Sequence, residues 1–365
     1  MPILYAILMG INAVQAVKKK RYNGIVLLLC FCFFVFIFSG NSSSGDIPNY
    51  LVMYENASMV VENNPISGFF YTSMAMSNEM KMNFFQYKFV LALLVYALYF
   101  SFLKKFACNI HYVIFFYLFH LFLFDVEQIR NALAVVVFLH GLIPLLKGRD
   151  EWKIKFLLFT LLATLLHSSF IIYLVLLLYD FIWEKRRIRI YISIVIMLCA
   201  YTFLNNNQIP FLQLIMFNFD VLGKVDAYFG NKMQFGFGVP MFLHIVSVLT
   251  IWFIRKRSRY YNINNCLIDA VYRIFVLSLS FLPLYFLSIT FGRLERNLLP
   301  LILLVGGAIV YQVKSRHKLI LETTLVIVLM VFSWCVYDVF MRMEDIFLPV
   351  MEYNYFVNGG IFYYE

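Results

Sequence analysis

KKFACNIHYVIFFYLFHLFLFDVEQIRNALAVVVFLHGLIPLLK, residues 104–147, is the stretch whose reading decides the fold. Two apolar runs meet at a polar centre made of Asp125, Glu127, Gln128, Arg130 and Asn131, and lysines close both ends. A backbone in hydrocarbon must satisfy its own hydrogen bonds, so each run is expected to be a helix. A crossing takes about 20 apolar residues, so the stretch holds two crossings. Loops that stay in the cytoplasm retain Lys and Arg. The two basic ends therefore lie on one side, and the polar centre is the outward tip of a hairpin.

The same punctuation recurs along the chain. Basic clusters occur at Lys18–Arg21, Lys104–Lys105, Lys147–Lys155, Lys185–Arg189, Arg255–Arg259 and Lys314–Lys318, always between apolar runs. They hold 21 of the 30 Lys and Arg, so placing all six on one side orients every segment. Residues 3–17 lead inward to the first cluster and 23–40 return outward. The longest polar stretch, about 41–84, has almost no basic residues and forms a first outer loop. Residues 86–103 run inward, and the hairpin of 106–146 follows.

Residues 153–183 are too long for one upright helix and short for two. Both ends are basic and His167-Ser168-Ser169 marks the middle, which predicts two short helices meeting at His167 near the outer face. One long tilted helix with His167 buried is the alternative. Residues 190–204 run outward into a second outer loop, about 205–237, within which 209–222 reads as a helix lying in the interface. Residues 239–254, 267–289, 298–313 and 319–340 complete the pattern, followed by an aromatic outer tail, about 341–365. The expected architecture is all-α: a single polytopic membrane unit, 1–365, with about twelve transmembrane helices and both termini outside.

Composition agrees. With 62% hydrophobic and 14% charged residues the chain cannot be a soluble domain. The net charge of +10 sits beside apolar segments with no aromatic platform between the clusters, so anionic membrane lipids are the expected partner and nucleic acid is not. The six cysteines lie mostly inside apolar runs, and their spacing fits neither a disulfide framework nor a metal site. The first apolar stretch precedes its basic residues, the reverse of a signal peptide, and reads as a retained helix. No Walker loop and no Asp-x-Asp is present.

The chemistry gathers at the outer helix ends. Arg130, Arg293 and Arg296 stand there outside the basic clusters. An arginine at mid-membrane costs about 2.5–3.5 kcal/mol on insertion scales, and less near an end. Three of them beside carboxylates and amides point to an anion site in a water-filled cavity, where an Arg fork matches phosphate oxygens. Local pairs, Arg130 with Glu127 and Arg293 or Arg296 with Glu295, are the competing explanation. Asp46, after the second helix, is either a helix N-cap ahead of Pro48 or a general base for a sugar hydroxyl. His167 is either a packed or capping residue or a part of the site. Asp269 and Arg273, one turn apart, read as a self-satisfied pair.

Gly45-Asp46 followed by Tyr50 and Tyr54, Gln128-Ile129-Arg130-Asn131-Ala132-Leu133-Ala134, Leu166-His167-Ser168-Ser169 and Gly292-Arg293 occur in series along nearly the whole chain. Together they resemble the EpsG/Wzy-like family of bacterial polysaccharide polymerases. The second is similar to that family's Arg-Gln-x-x-Ala helix start, the third to its Phe-His-x-Ser motif, and the fourth to its Ser-Arg turn. Asn131 stands where the family usually has Gln. Asn41-Ser42-Ser43-Ser44 occupies a stretch where many members carry an Arg.

The resemblance implies a GT-C-like glycosyltransferase of the bacterial inner membrane, with its active site on the periplasmic or extracellular side. It would join oligosaccharide repeat units carried on undecaprenyl diphosphate as donor and acceptor. A chain-length regulator protein is a further implied partner. No cofactor and no metal is expected. Arg130, Arg293 and Arg296, with Gln128, Asn131, Tyr50 and Tyr54, would bind the diphosphate and substrate, and Asp46, Glu127 or His167 would serve as base. A ligase or acyltransferase on the same lipid-linked glycans and a lipid-linked oligosaccharide flippase are the other classes. Polar residues at the outer ends, and not at mid-depth, disfavour the flippase.

Overall fold

Asparagine side chains start four of the helices. The first N–H groups of a helix have no partner within it, and an asparagine oxygen supplies one. Asn23 accepts from Ile25 N at 3.1 Å to begin α2 (Gly24–Gly40). Asn83 and Gln86 form a reciprocal capping box for α6 (Phe84–Lys104). Asn109 caps α7 (Ile110–Phe119) through Tyr112 N at 3.1 Å and also donates to Ala16 O, tying α7 to α1 (Pro2–Val17). Asn265 caps the helix Cys266–Ser278.

The computed structural model describes residues 1–18, 20–62, 68–206, 237–263, 265–313, 318–340 and 343–357. Among these, the regular structure is helical, with one isolated bridge, Asn41 to Asn354. Seven helices among the described residues are long and apolar enough to cross a membrane: Phe84–Lys104, Ile129–Leu146 (α9), Lys185–Leu204 (α11), Gly238–Tyr260, Cys266–Tyr285, Gly292–Gln312 and Lys318–Phe340. An eighth is counted if α7 and α8 (Leu121–Glu127), bent by 63° at His120, form one span. The chain is an all-α, multi-pass membrane protein.

The polar tip expected within 106–146 is present at Gln128, where α8 ends and α9 begins, but the two arms part: α7 packs on α1 and Leu299–Gln312, and α9 on α6 and on the helix Trp152–Leu166. The bend at His120 was not expected. The stretch 153–183 is a hairpin: α10 (Trp152–Leu166) ends at His167, and a tighter 3-10 segment, Ser168–Trp183, packs back on it. Their far ends meet through the Trp152 and Tyr179 rings at 5.6 Å and the Lys153–Asp180 pair at 2.7 Å. The expected interfacial helix 209–222 falls wholly within 207–236, outside the described residues.

Leu299–Gln312 is buried along its length and serves as the packing centre. A Cβ on Gly307 would lie 2.9 Å from Asn109 O, so glycine lets α7 approach this helix closely, and Asn109 N donates to Gly307 O at 2.9 Å. The polar stretch 41–84, expected to be an outer loop, carries three helices among its described residues, α3 (Ile47–Glu55), α4 (Ala57–Glu62) and α5 (Gly68–Glu79). The chain after Lys318–Phe340 folds back under this loop. Ser42 N donates to Tyr353 O at 3.2 Å, Tyr355 N donates to Gly40 O at 2.7 Å, and the Tyr355 ring stacks on Phe85 at 3.9 Å.

Candidate active site

Four of the polar side chains expected to act together do converge at one end of the bundle. Asp46 lies at the N-cap position of α3, but its side chain makes no capping hydrogen bond. It faces Arg293 instead, with Oδ2 3.8 Å from Nη1 and both side chains about one-third exposed. Arg130, at the start of α9, is half-buried, lies 5.5 Å from the Tyr71 ring centroid and donates to the Tyr71 hydroxyl. Tyr50 sits among these groups. Burial pushes its phenol up to about 12, against the pull of Arg130, so it stays a neutral hydroxyl at neutral pH.

The turn before Asp46 explains its glycine. Gly45 has φ +46°, and a Cβ there would collide with the Glu127 carboxylate. Glycine alone meets both demands cheaply. Glu127 is therefore packed behind the turn and buried. Lys88 is also fully buried, and its Nζ donates to Asn41 O at 2.5 Å. A lysine side chain supplied from α6 thus braces the Asn41–Ser44 stretch.

Arg296 has a different setting from Arg130 and Arg293. It is buried over the Phe124 ring at 3.9 Å, donates to Gln128 Oε1 at 3.0 Å and lies 3.5 Å from Asp338 Oδ2. His120 Nε2 meets the same Asp338 oxygen at 2.9 Å. Asn131 and Asn297 form a reciprocal amide pair at 3.0 and 3.2 Å. The helix Gly292–Arg296 thus pairs its arginines with acids on other elements, Asp46 and Asp338. Asp269 pairs with Arg255 and with Arg259, the latter at 3.0 Å.

His167 is half-buried, its Nδ1 2.8 Å from Ser169 Oγ, and its ring lies 6.1 Å from Phe170. Phe170 packs on Tyr173, whose hydroxyl donates to Leu294 O at 2.5 Å. That aromatic line leads from His167 to the backbone between Arg293 and Arg296. Tyr54 is directed away: its hydroxyl donates to Met82 O at 2.7 Å, and its ring packs on Phe84 and Tyr87. Sequence reasoning missed Asp338, His120 and Lys88. Asp338 and Lys88 carried a signal, each being an ionisable group in an otherwise apolar run. Among the described residues, no group of three or more His, Cys, Asp or Glu could hold a metal ion.

Apolar helices with a carboxylate, two part-exposed arginines and a buried tyrosine gathered at one end describe a multi-pass membrane protein with a polar site of mixed charge. The sequence model of the EpsG family matches residues 25–355, and the chain belongs to that family, which is one of Wzy-like polymerases. No curated protein and no solved structure matches the chain.

Proposed function

We propose that this protein is a polysaccharide polymerase that joins undecaprenyl-diphosphate-linked oligosaccharide repeat units on the extracytoplasmic face of the membrane. In this reading it is a metal-independent glycosyltransferase of the GT-C type with about twelve membrane helices. Family membership supports the polymerase class. All twelve expected stretches are helical, including those too short to cross upright, and this supports the helix number.

The observation that carries the reading is Asp46 held loosely against Arg293 beside Arg130. A diphosphate leaving group needs positive charge where negative charge develops. Arg130 and Arg293 are the reachable pair, and Arg296 acts from behind by fixing Gln128 at the tip. A diphosphate that draws Arg293 to itself releases the Asp46 carboxylate, which then accepts the proton of the attacking sugar hydroxyl. Tyr50 stays protonated and donates a hydrogen bond to the substrate. Glu127 holds the Gly45 turn in place.

The test is elongation of a lipid-diphosphate repeat unit by purified protein in EDTA. Wild type gives a ladder of products, Arg130→Ala gives none, and Arg130→Lys loses roughly 10–100-fold, because a point charge cannot replace a forked, charge-assisted contact. A single addition in place of a ladder moves the assignment to a ligase or acyltransferase. No transfer by folded wild type supplied with the right repeat unit overturns the reading.

A further inference from the structure

The far end of the bundle, away from Asp46 and Arg293, carries a second cationic feature. There α6 ends at Lys104, α9 ends at Leu146, Cys266–Ser278 begins, and Leu299–Gln312 ends. These four helix ends frame a cavity of about 380 Å³. Lys105, Lys147 and Arg149 line it together with Asn265, Cys266 and Gln312. Asn265 and Gln312 are joined by a hydrogen bond of 3.0 Å, which gives the cavity a fixed polar wall. No carboxylate lines it, and among the described residues none of the three cations is in an ion pair.

The nearest precedent on the same face shows that this is a choice of the fold. Arg255 and Arg259 share Asp269, and Arg257 meets Glu322 at 2.6 Å, so the three arginines of that neighbouring cluster are each paired with an acid. At the cavity the opposite holds. Lys147 is pushed below its usual range by burial and then by Arg149, Lys105 and Arg21. Arg21 is itself held in place by the carbonyls of Lys104 and Phe106. Retention of positive charge on one side of the membrane accounts for basic residues at this end. It does not account for their convergence, without acids, on a concavity large enough for a headgroup.

We propose that this cavity binds a phosphate group, that of an anionic lipid headgroup seated between the helix ends. Three cations more than offset the single negative charge of a lipid phosphodiester, and Asn265 and Gln312 offer amides beside it. Phe106, with Lys147 5.7 Å from its ring centroid, supplies apolar surface where the lipid enters. Basic pockets between membrane helices are where such headgroups bind. The proposal is independent of the polymerase reading, and its test needs no activity.

Cys266 lines the cavity and is exposed, so its thiol reports occupancy. A Ser168→Cys substitution, at an exposed turn at the other end of the bundle, supplies the internal reference. The full chain is placed in nanodiscs of phosphatidylcholine alone or with phosphatidylglycerol, and maleimide labelling of each cysteine is followed by mass spectrometry. At lipid near ten times its dissociation constant, labelling of Cys266 slows roughly tenfold, and labelling at position 168 does not change. The exposed double variant Lys147→Gln/Arg149→Gln abolishes the protection. Protection by inorganic phosphate in phosphatidylcholine discs, with none from the lipid, keeps the phosphate site and overturns the lipid as its source. Equal labelling in all discs, or protection that survives in the variant, overturns the site.

Discussion

At the scale of single residues, the candidate site is governed by pairs that reach across the chain. Arg296 has Glu295 beside it in sequence, yet its acid is Asp338, and Asp338 also takes His120, 218 residues away in sequence. Removing one partner of a buried ion pair leaves the other charge uncompensated, which costs about 3–5 kcal/mol. Asp338→Asn is therefore expected to lower the thermal unfolding midpoint in detergent markedly, while Asp46→Asn, at a half-exposed pair, leaves it nearly unchanged. Equal midpoints for the two variants would remove Asp338 from the framework of the site. Asp46, Tyr50, Arg130 and Arg293 were legible in the sequence because polar residues at apolar helix ends stand out. Their partners were not. A sequence offers i, i+3 neighbours such as Glu127 for Arg130, whereas the fold supplied Tyr71 and left Glu127 against Gly45.

At the scale of elements, the loop that presents Asp46 is held from two sides. Lys88 of α6 braces Asn41, and the returning C-terminal segment lies along Gly40–Ser42. A Cβ on Gly40 would come within 2.6 Å of the Asn354 side chain, so the segment sits hard against the end of α2. Its anchor is the Tyr355 ring, parallel to Phe85 within 8°. Such an aromatic pair contributes about 0.5–1.5 kcal/mol beyond its burial. Tyr355→Ala is expected to leave protein level and helix content near wild type while product formation falls, with the loss mainly in kcat. Tyr355→Phe, which keeps the ring, restores it. An alanine variant of full activity would mean that the strap does not position Asp46. The hairpin at His167 was readable from the basic residues flanking 153–183. The bend at His120 was not, because it interrupts an apolar run that holds neither Pro nor Gly. Nor was the returning tail, which is held partly by backbone hydrogen bonds that any sequence can make and partly by single side chains far away in sequence.

At the scale of the whole molecule, the two ends of the bundle differ in chemistry, and that difference predicts orientation. One end holds Asp46, Arg130, Arg293 and the tip at His167. The other holds Lys104–Lys105, Lys147–Lys155, Lys185–Arg189 and Arg255–Arg259. The helices joining them are unequal. α10 has 15 residues, about 22 Å at 1.5 Å per residue, against a hydrocarbon thickness of about 30 Å. A helix this short either leaves one end within the membrane or draws the surface toward it. If positive charge sets the inner side, Ser168, exposed at the His167 turn, faces outward. A cysteine at Ser168 is then expected to react with an impermeant thiol reagent added to intact cells. Cys266, at the basic end, reacts only once the membrane is opened. The reverse result would place the site of Asp46 on the cytoplasmic side, where the proposed polymerase could not meet its substrate.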